Sequence, residues 1–428
     1  MESLHSLRLR FKESSRAFSW VHLSNAFIAL LFAGSAPVAI ILGVGVSGGL
    51  SQSDLSSWIF GAFTLNGVLT IAMSILYRAP LAFFWTIPGT VLVGPALKHL
   101  SLSDIIGAYH ATGLLLLVLG LTGTVRRVMI YLPLPIIMGM VAGVFIRFGL
   151  RWLESFEKDI WIALPMTAAY FTLGSAPKLQ KRVPPMIGVL VVGVIVLALR
   201  VNTVQPSANL GSNHLGEIIV TPRLYLPTFS WRAFVELVLP LSITVIAAQN
   251  AQGIAILQAR EYQPPVNSIT TACGLGSLGA ALCGCVPSCL TGPCTAILVS
   301  SEQRAGEFVA AVALGLFALI FGLFSPLFTT LMLSTPPAFI ATLAGLALLK
   351  VLQNAFQTSF RDRFSLGALI AFMVTLADQT LLSIGAPFWS LLFGWTASRL
   401  LEHADLTPKP PVVLPPTKSH TNQRVAAL

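Results

Sequence analysis

Fourteen apolar segments follow one another between residues 20 and 401, separated only by charges or by clusters of Gly and Pro. The spacing places them at 20–45, 55–76, 80–99, 104–123, 128–149, 159–176, 184–200, 233–257, 265–284, 286–300, 307–324, 327–349, 365–383 and 386–401. A helix needs about 20 apolar residues to cross the ~30 Å hydrocarbon core of a bilayer. Inside that core every backbone N–H and C=O must be paired within the protein, so recurring apolar runs mean membrane helices. The charge content agrees. Only 10% of the 428 residues are charged, against about 25% in soluble domains, too few to coat a globular surface.

The net charge of +10 does not point to nucleic acid, because the basic residues are scattered through short loops, where membrane topology accounts for them better. With both termini cytoplasmic, the inward segments hold 19 of the 26 Lys and Arg, and the outward segments hold the other 7: Lys98, Arg147, Arg151, Lys158, Arg200, Arg223 and Arg232. Positive residues belong on the cytoplasmic side, which supports the count. The expected flanks are a basic cytoplasmic N-terminus (1–19), an external loop (201–231) and a disordered cytoplasmic tail (403–428). The N-terminus runs straight into apolar sequence, so no cleavable signal peptide is expected.

Two elements are not ordinary spans. Residues 80–88 are aromatic and β-branched between two prolines, which suits an extended strand. The stretch Gly89 to His99 has eleven residues, roughly 16 Å of helix or half the hydrocarbon core. In the second half, Pro287 and Ser288 precede another eleven-residue apolar stretch, Cys289 to Val299, and both stretches contain a Gly-Pro pair (Gly94-Pro95 and Gly292-Pro293). Paired, interrupted segments at matching places in two halves point to an inverted-repeat transporter and to its binding site. The expected fold is therefore an all-α polytopic membrane protein with 14 membrane elements in a 7+7 inverted repeat. Elements 3 and 10 are half-helices preceded by short extended strands.

Enzyme-like spellings do not survive their context. Gly43-Val-Gly45-Val-Ser-Gly48 and Gly274-Leu-Gly276-Ser-Leu-Gly279 match a dinucleotide fingerprint, but neither follows a soluble strand that opens a βαβ unit. Gly45 to Gly49 spells a nucleophile elbow at the end of a membrane helix, without the fold that pattern needs. Small residues there fit close helix packing. All five cysteines fall between Cys273 and Cys294. They lack paired zinc-ligand spacing and read as small packing residues. No enzymatic activity, cofactor or metal is expected.

The cluster Gln249-Asn250-Ala251-Gln252-Gly253 puts three carboxamides in a membrane helix, where facing lipid would be costly. Solute contact is the preferred reading, with interhelical hydrogen bonding the competing one. In the first half, Gly34-Ser35-Ala36-Pro37 marks a helix interruption expected to face the same cavity. Half-helix N-termini present unpaired N–H groups and a positive dipole end, which attract an anionic group. Thr86, Gly89, Thr90, Ser288, Cys289, Leu290 and Thr291 surround the two expected tips, with Phe83, Phe84 and Trp85 as candidate walls. No Arg or Lys lies in 83–97 or 284–300, which leaves the tips as the anion partners.

The segments Gln249 to Gly253, Tyr262-Gln-Pro-Pro-Val-Asn267, Thr270-Thr271, Gly274 to Gly279 and Leu290-Thr-Gly-Pro293-Cys-Thr-Ala296 resemble the bacterial benzoate:proton symporter family. The resemblance covers most of the membrane region. It implies proton-coupled uptake of an aromatic carboxylate in a bacterial inner membrane, and a fold related to the uracil and xanthine permeases. It also implies a core domain formed by 20–123 and 232–324 and a gate formed by 124–200 and 325–402. The cysteine-rich 283–294 stretch departs from the family where small residues are expected. The nucleobase permeases carry acidic residues on the elements that here hold Gln249 and Ser288.

With no acid at those places, the proton-coupling candidates are His110, whose side chain titrates in the right range, and Asp378. Glu236 and Glu307 rank lower, as interface charges expected to be solvated. The expected partners are a small aromatic carboxylate, protons and the lipid bilayer, with a homodimer left open and no nucleic acid. The rival readings are a nucleobase or inorganic-anion carrier on the same fold and, in another class, an anion channel.

Overall fold

The structure, a computed structural model, describes residues 20–125, 133–175, 185–200, 218–300, 304–361, 363–379, 381 and 386–406. The N-terminus 1–19, residues 201–217 of the long loop and the tail from 407 lie outside them. In chain order the helices and strands are α1 (Trp20–Gly34), α2 (Ala36–Ser47), α3 (Gln52–Tyr77), β1 (Phe83–Trp85), α4 (Ile87–Ala96), α5 (Leu102–Thr122), α6 (Leu134–Lys158), α7 (Ile160–Ser175) and α8 (Pro185–Leu199). They continue as α9 (Trp231–Ala259), α10 (Val266–Leu282), β2 (Ser288–Leu290), α11 (Gly292–Leu298), α12 (Glu307–Leu323), α13 (Ser325–Leu333), α14 (Pro337–Phe360), α15 (Ser365–Ala377) and α16 (Ala386–Leu401). Among the described residues, seven helical runs are long and apolar enough to cross a membrane, with α1 and α2 counted as one run and α12 counted from Arg304. Leu114, Leu121, Leu164, Phe171, Leu199 and Leu331 are exposed on the outside, as a lipid-facing surface requires.

Local chemistry sets the starts and breaks. Ser51 opens α3 with a capping box in which its hydroxyl accepts from the Asp54 N–H and its N–H donates to the Asp54 carboxylate. Ser101 caps α5 and Ser230 caps α9 in the same way, through their hydroxyls. The first apolar run is interrupted at Ser35, with Pro37 unable to continue the preceding hydrogen-bond ladder. The segment expected as one element at 327–349 is two helices. Pro336 and Pro337 break the chain between α13 and α14, and α14 continues to Phe360. The segment expected to end at 149 runs on as α6 to Lys158.

Both half-helices begin later or earlier than their apolar stretches suggest. The first starts at Ile87, two residues before Gly89, because the Thr86 hydroxyl caps it by accepting from the Gly89 N–H at 3.1 Å. The second starts at Gly292 after the N-cap Thr291, so Cys289 and Leu290 belong to β2 rather than to a helix tip. The two strands pair antiparallel, with Phe83 opposite Leu290, Phe84 opposite Cys289 and Trp85 opposite Ser288. This register is two-fold symmetric about Phe84 and Cys289, and the flanking bonds obey it. Thr86 N–H donates to Pro287 C=O at 3.0 Å and Thr291 N–H donates to Ala82 C=O at 2.9 Å.

Helices pack into two groups, α1–α5 with α9–α12 and α6–α8 with α14–α16; the most extensive contacts are α6 on α14, α5 on α10, α6 on α15 and α3 on α12. The α5–α10 seam explains the glycine run. A Cβ on Gly274 would stand 2.5 Å from the Leu117 backbone N and 2.8 Å from the Gly113 C=O. The obstacle is main chain, which cannot swing aside. Gly274→Leu is therefore expected to prevent assembly, read as loss of a monodisperse species in detergent, whereas Gly279→Leu, with nothing within 4 Å, leaves it intact.

The ion pairs sort by side. Lys98 and Arg147 with Asp378, His99 with Glu236, Arg200 with Asp159 and Arg223 with Asp54 join residues that the charge pattern puts outside. Arg260 with Glu307 and Arg304 with Glu261 join residues that it puts inside. Tyr225, in the segment 218–230, donates to Asp54; burial first, then that carboxylate, pushes its phenol well above the ordinary range, so it stays a donor. Tyr262 is raised for the same two reasons, with Glu307 as its carboxylate.

Candidate substrate site

The strand pair is pinned from the helices beside it. The Phe83 N–H donates to the Thr70 hydroxyl of α3 at 2.8 Å, and the Ser288 N–H donates to the Ser277 hydroxyl of α10 at 2.9 Å. These two bonds occupy equivalent places in the two halves. Each strand then turns directly into a half-helix with the same spelling: Thr86-Ile87-Pro88-Gly89-Thr90 and Thr291-Gly292-Pro293-Cys294-Thr295. The shared pattern Thr-x-Pro-x-Thr has a physical meaning. The first Thr is the N-cap and the Pro sits where a helix has an N–H it cannot use.

Donors at the tips follow from this. At α4 the Thr86 hydroxyl engages Gly89, which leaves the Ile87 N–H without a hydrogen bond among the described residues. At α11 the Thr291 side chain makes no cap bond, and the Gly292 and Cys294 N–H groups are likewise unengaged. Ser288 Oγ, Thr295 Oγ1 and Trp85 Nε1 are buried with no hydrogen-bond partner. Buried polar groups are ordinarily satisfied; Trp58 Nε1, Thr64 Oγ1 and Asn66 Oδ1 of α3 are unsatisfied as well, and the Ser288 hydroxyl faces Gly276 of α10.

The carboxamides divide. Asn250 is buried, and its Oδ1 accepts the Leu290 N–H at 2.8 Å while its Nδ2 lies 3.5 Å from Cys273 Sγ. It is therefore an interhelical tie that holds β2, the competing reading for this cluster. Gln252 is exposed and lies over the α11 tip, since a Cβ on Gly292 would stand 2.5 Å from Gln252 Cδ and 2.6 Å from Oε1. Gln249 is buried, and its side chain makes no hydrogen bond among the described residues. Backbone geometry sets this division: α9 is π-helical over Thr244–Asn250, a widened turn that is frequent at functional sites.

The remaining candidates are dispersed. Thr86, Thr90, Ser288, Cys289, Leu290 and Thr291 are all brought together and buried around the strand pair, with the Thr90 hydroxyl donating to the Thr86 C=O at 3.0 Å. Ser35 is elsewhere. It lines a lateral, nearly apolar cavity of about 690 Å³ with Phe27, Leu190, Phe321 and Pro336, and no tip residue reaches it. The aromatics are core. Phe84 and Trp85 pack on Phe63 at 5.4 and 5.1 Å, and Phe83 is fully buried.

His110 is half-buried, with Nδ1 at 2.9 Å from the Ile106 C=O of its own helix. Asp378 ends α15, held by Arg147 at 2.7 Å. Glu236 and Glu307, expected to be solvated, are buried. Glu236 pairs with His99 at 3.0 Å, and Glu307 accepts from Tyr262 at 2.8 Å. Thr295 was absent from the sequence-based site; the Thr-x-Pro-x-Thr repeat was the signal for it, hidden because the Gly-Pro pairs align Gly292 with Gly94 rather than with Ile87. Lys98, Arg147 and Arg151 line a crevice with Asp378 and with Val91, Leu92 and Pro95 of α4.

A family model described as "BenE: Benzoate membrane transport protein" matches residues 16–400. The chain is 29% identical over 377 residues to "Inner membrane protein YdcO" of Escherichia coli, covering 87% of this chain and 93% of that one. It is 27% identical over 382 residues to the "Benzoate membrane transport protein" of Acinetobacter baylyi, covering 88% and 93%. Among solved structures, the transmembrane domain of the cyanobacterial bicarbonate transporter BicA superposes with a TM-score of 0.59 at 15% identity, covering 88% of this chain and 98% of that one. The murine anion transporter Slc26a9 in its inward-facing state gives 0.61 at 13% identity, covering 89% and 68%.

Proposed function

The chain belongs to the benzoate membrane transport protein family, and from that premise we propose that it is a proton-coupled secondary transporter taking up benzoate or a related small aromatic carboxylate by alternating access. The observation that carries the reading is the crossing at β1 and β2. It sets two Thr-x-Pro-x-Thr helix starts beside each other, with unengaged amides at both and the partnerless Thr295 hydroxyl in the first turn of α11. The carboxylate sits against these tips, within reach of Gln252, where fixed N–H groups and helix dipoles supply the positive potential. The ring lies in the apolar surroundings.

The two-fold register supports fourteen elements in a 7+7 inverted repeat, and the two packing groups support a core (20–123 and 232–324) that moves against a gate (124–200 and 325–402). The family and the charge pattern support a bacterial inner-membrane location with both termini cytoplasmic. A second reading, an inorganic-anion carrier, is favoured by the same tips, which hold an anion whatever its organic part; the bicarbonate and anion transporters named above share the fold. A nucleobase is disfavoured by the carboxamide in place of an acid at Gln249. Uptake of radiolabelled benzoate into proteoliposomes, with and without an imposed pH gradient and with bicarbonate and chloride as competitors, decides between them. Saturable uptake with counterflow excludes a channel, and displacement by chloride or bicarbonate at benzoate-like concentrations favours the inorganic anion.

Gln252→Ala should weaken benzoate binding by roughly ten- to a hundred-fold, the effect of losing a hydrogen bond to a charged group worth about 1.5–3 kcal/mol. Its melting temperature should not change, because the side chain is exposed. Calorimetric titration of wild type and variant measures the affinity, and a thermal scan in detergent the melting temperature; unchanged affinity moves the carboxylate away from α11.

A further inference from the structure

A buried acid of the second half meets an imidazole of the first. Glu236 Oε2 lies 3.0 Å from His99 Nε2, with side-chain exposures of 2% for Glu236 and 21% for His99. His99 stands in the turn that ends α4, its N–H donating to the Ala96 C=O at 3.1 Å. Glu236 lies in the first π-helical turn of α9, Phe234–Val238. The pair thus ties the half-helix of the first repeat to the first helix of the second.

We propose that the His99–Glu236 pair is the protonation site that couples uptake to protons. The proposal rests on the carboxylate reading of the tips. The ten-residue α4 spans about 15 Å. At its N-terminus it presents an amide and a positive dipole end to the substrate, and at its C-terminus the negative end favours a cation such as imidazolium. With His99 protonated, Glu236 is a paired carboxylate. Loss of that proton leaves a buried anion beside a neutral ring, a strongly unfavourable state. The chain escapes it by opening Glu236 to water or by moving α9 against the end of α4. Proton release at one end of α4 and carboxylate release at the other are then linked through one rigid element.

The surrounding charges leave this role to the pair. On α5, Asp104 accepts from Ser101 and Thr228, His110 bonds its own helix, and Tyr109 is fully buried. Lys98 and Arg147 lie on Asp378 at 4.0 and 2.7 Å. Arg232 precedes Glu236 on α9, α16 carries its only base, Arg399, at its far end, and α2 carries no charge. Among the described residues, His99 is the one ion-pair partner of Glu236.

Full-length wild type, Glu236→Gln and His99→Asn are reconstituted in proteoliposomes, and three quantities are compared: benzoate binding, benzoate counterflow without a gradient, and accumulation driven by a pH gradient. The expected result for both variants is binding and counterflow within about threefold of wild type, with gradient-driven accumulation reduced at least tenfold. If Glu236→Gln does not give a monodisperse protein, His99→Asn, whose side chain is partly exposed, carries the test alone. A variant that accumulates benzoate as wild type does overturns the proposal. So does loss of counterflow together with accumulation at an unchanged melting temperature. Wild-type protein that neither binds nor exchanges benzoate overturns the carboxylate reading beneath it, an outcome distinct from coupled variants in an active wild type.

Discussion

Gly292→Leu is expected to abolish benzoate binding, a loss of about a hundred-fold or more, or ~2.7 kcal/mol. The three atoms nearest a Cβ at this position all belong to the Gln252 side chain, at 2.5 to 2.6 Å. That side chain is exposed and flexible, so the helix folds and the glutamine swings away. The isobutyl group then covers the amides of α11 and removes the polar group above them. Gly89 is a poorer probe, because its Cβ would stand 2.3 Å from Thr86 Cγ2 and 3.0 Å from Leu241 Cδ2 and would dislodge the cap itself. Cys289→Leu does not test the tip at all. Cys289 is fully buried in β2 opposite Phe84, so a larger side chain there overpacks the crossing. The companion measurement uses benzamide, which keeps the ring and loses the charge. Calorimetry on purified protein should give much weaker binding of the amide. Equal affinity for the two ligands, or normal benzoate binding by Gly292→Leu, would place the carboxylate elsewhere.

Asn250→Leu is expected to destabilise the fold rather than merely weaken binding. Leucine is close in size but cannot accept the Leu290 N–H, now bonded at 2.8 Å. A buried donor left without a partner costs about 1–3 kcal/mol, and here it sits in the strand that leads into α11 and pairs with the one that leads into α4. The melting temperature in detergent should fall clearly, while that of Gln252→Ala stays at the wild-type value. A wild-type melting temperature for Asn250→Leu, with benzoate binding lost, would make Asn250 a substrate ligand and return the carboxamide cluster to one role.

These contrasts mark where sequence reasoning succeeds. Apolar runs, prolines and charges locate membrane elements well, because the bilayer imposes one rule on every span. The rule that fixes a half-helix start is finer. At α4 the Thr86 hydroxyl captures the Gly89 N–H, and at α11 the chain stays extended through β2 to the N-cap Thr291; neither hydropathy nor a Gly-Pro pair reports either. The start at Ile87 rather than Gly89, and at Gly292 rather than Cys289, therefore appeared only with the strands in place. The break at Pro336-Pro337 lay inside an apolar run and carried no charge to flag it. Three carboxamides in five residues look alike in sequence; their roles separate only when the π-helical turn points Asn250 at β2 and leaves Gln252 over the tip. Glu236 was misjudged for a related reason. An acid near a helix end reads as solvated until a histidine from the other half of the chain, 137 residues away, closes over it.

The prolines at the second position of each half-helix limit how much charge the crossing can take. Each removes one amide, and Thr86 occupies another, so the unengaged donors are Ile87, Gly292 and Cys294. Three fixed N–H groups and one glutamine match the two oxygens of a single carboxylate. An aromatic diacid brings four oxygens and a second charge, and the side chains packed about the strand pair include Phe83, Phe84, Leu290 and Leu241, all buried and apolar. The second carboxylate would meet neutral donors at best, the Thr295 hydroxyl and the Gln249 amide, and an undercompensated charge in such surroundings is rejected far more strongly than a misfitting methyl group. Valence discrimination, on this account, comes from what proline withholds and needs no repelling side chain.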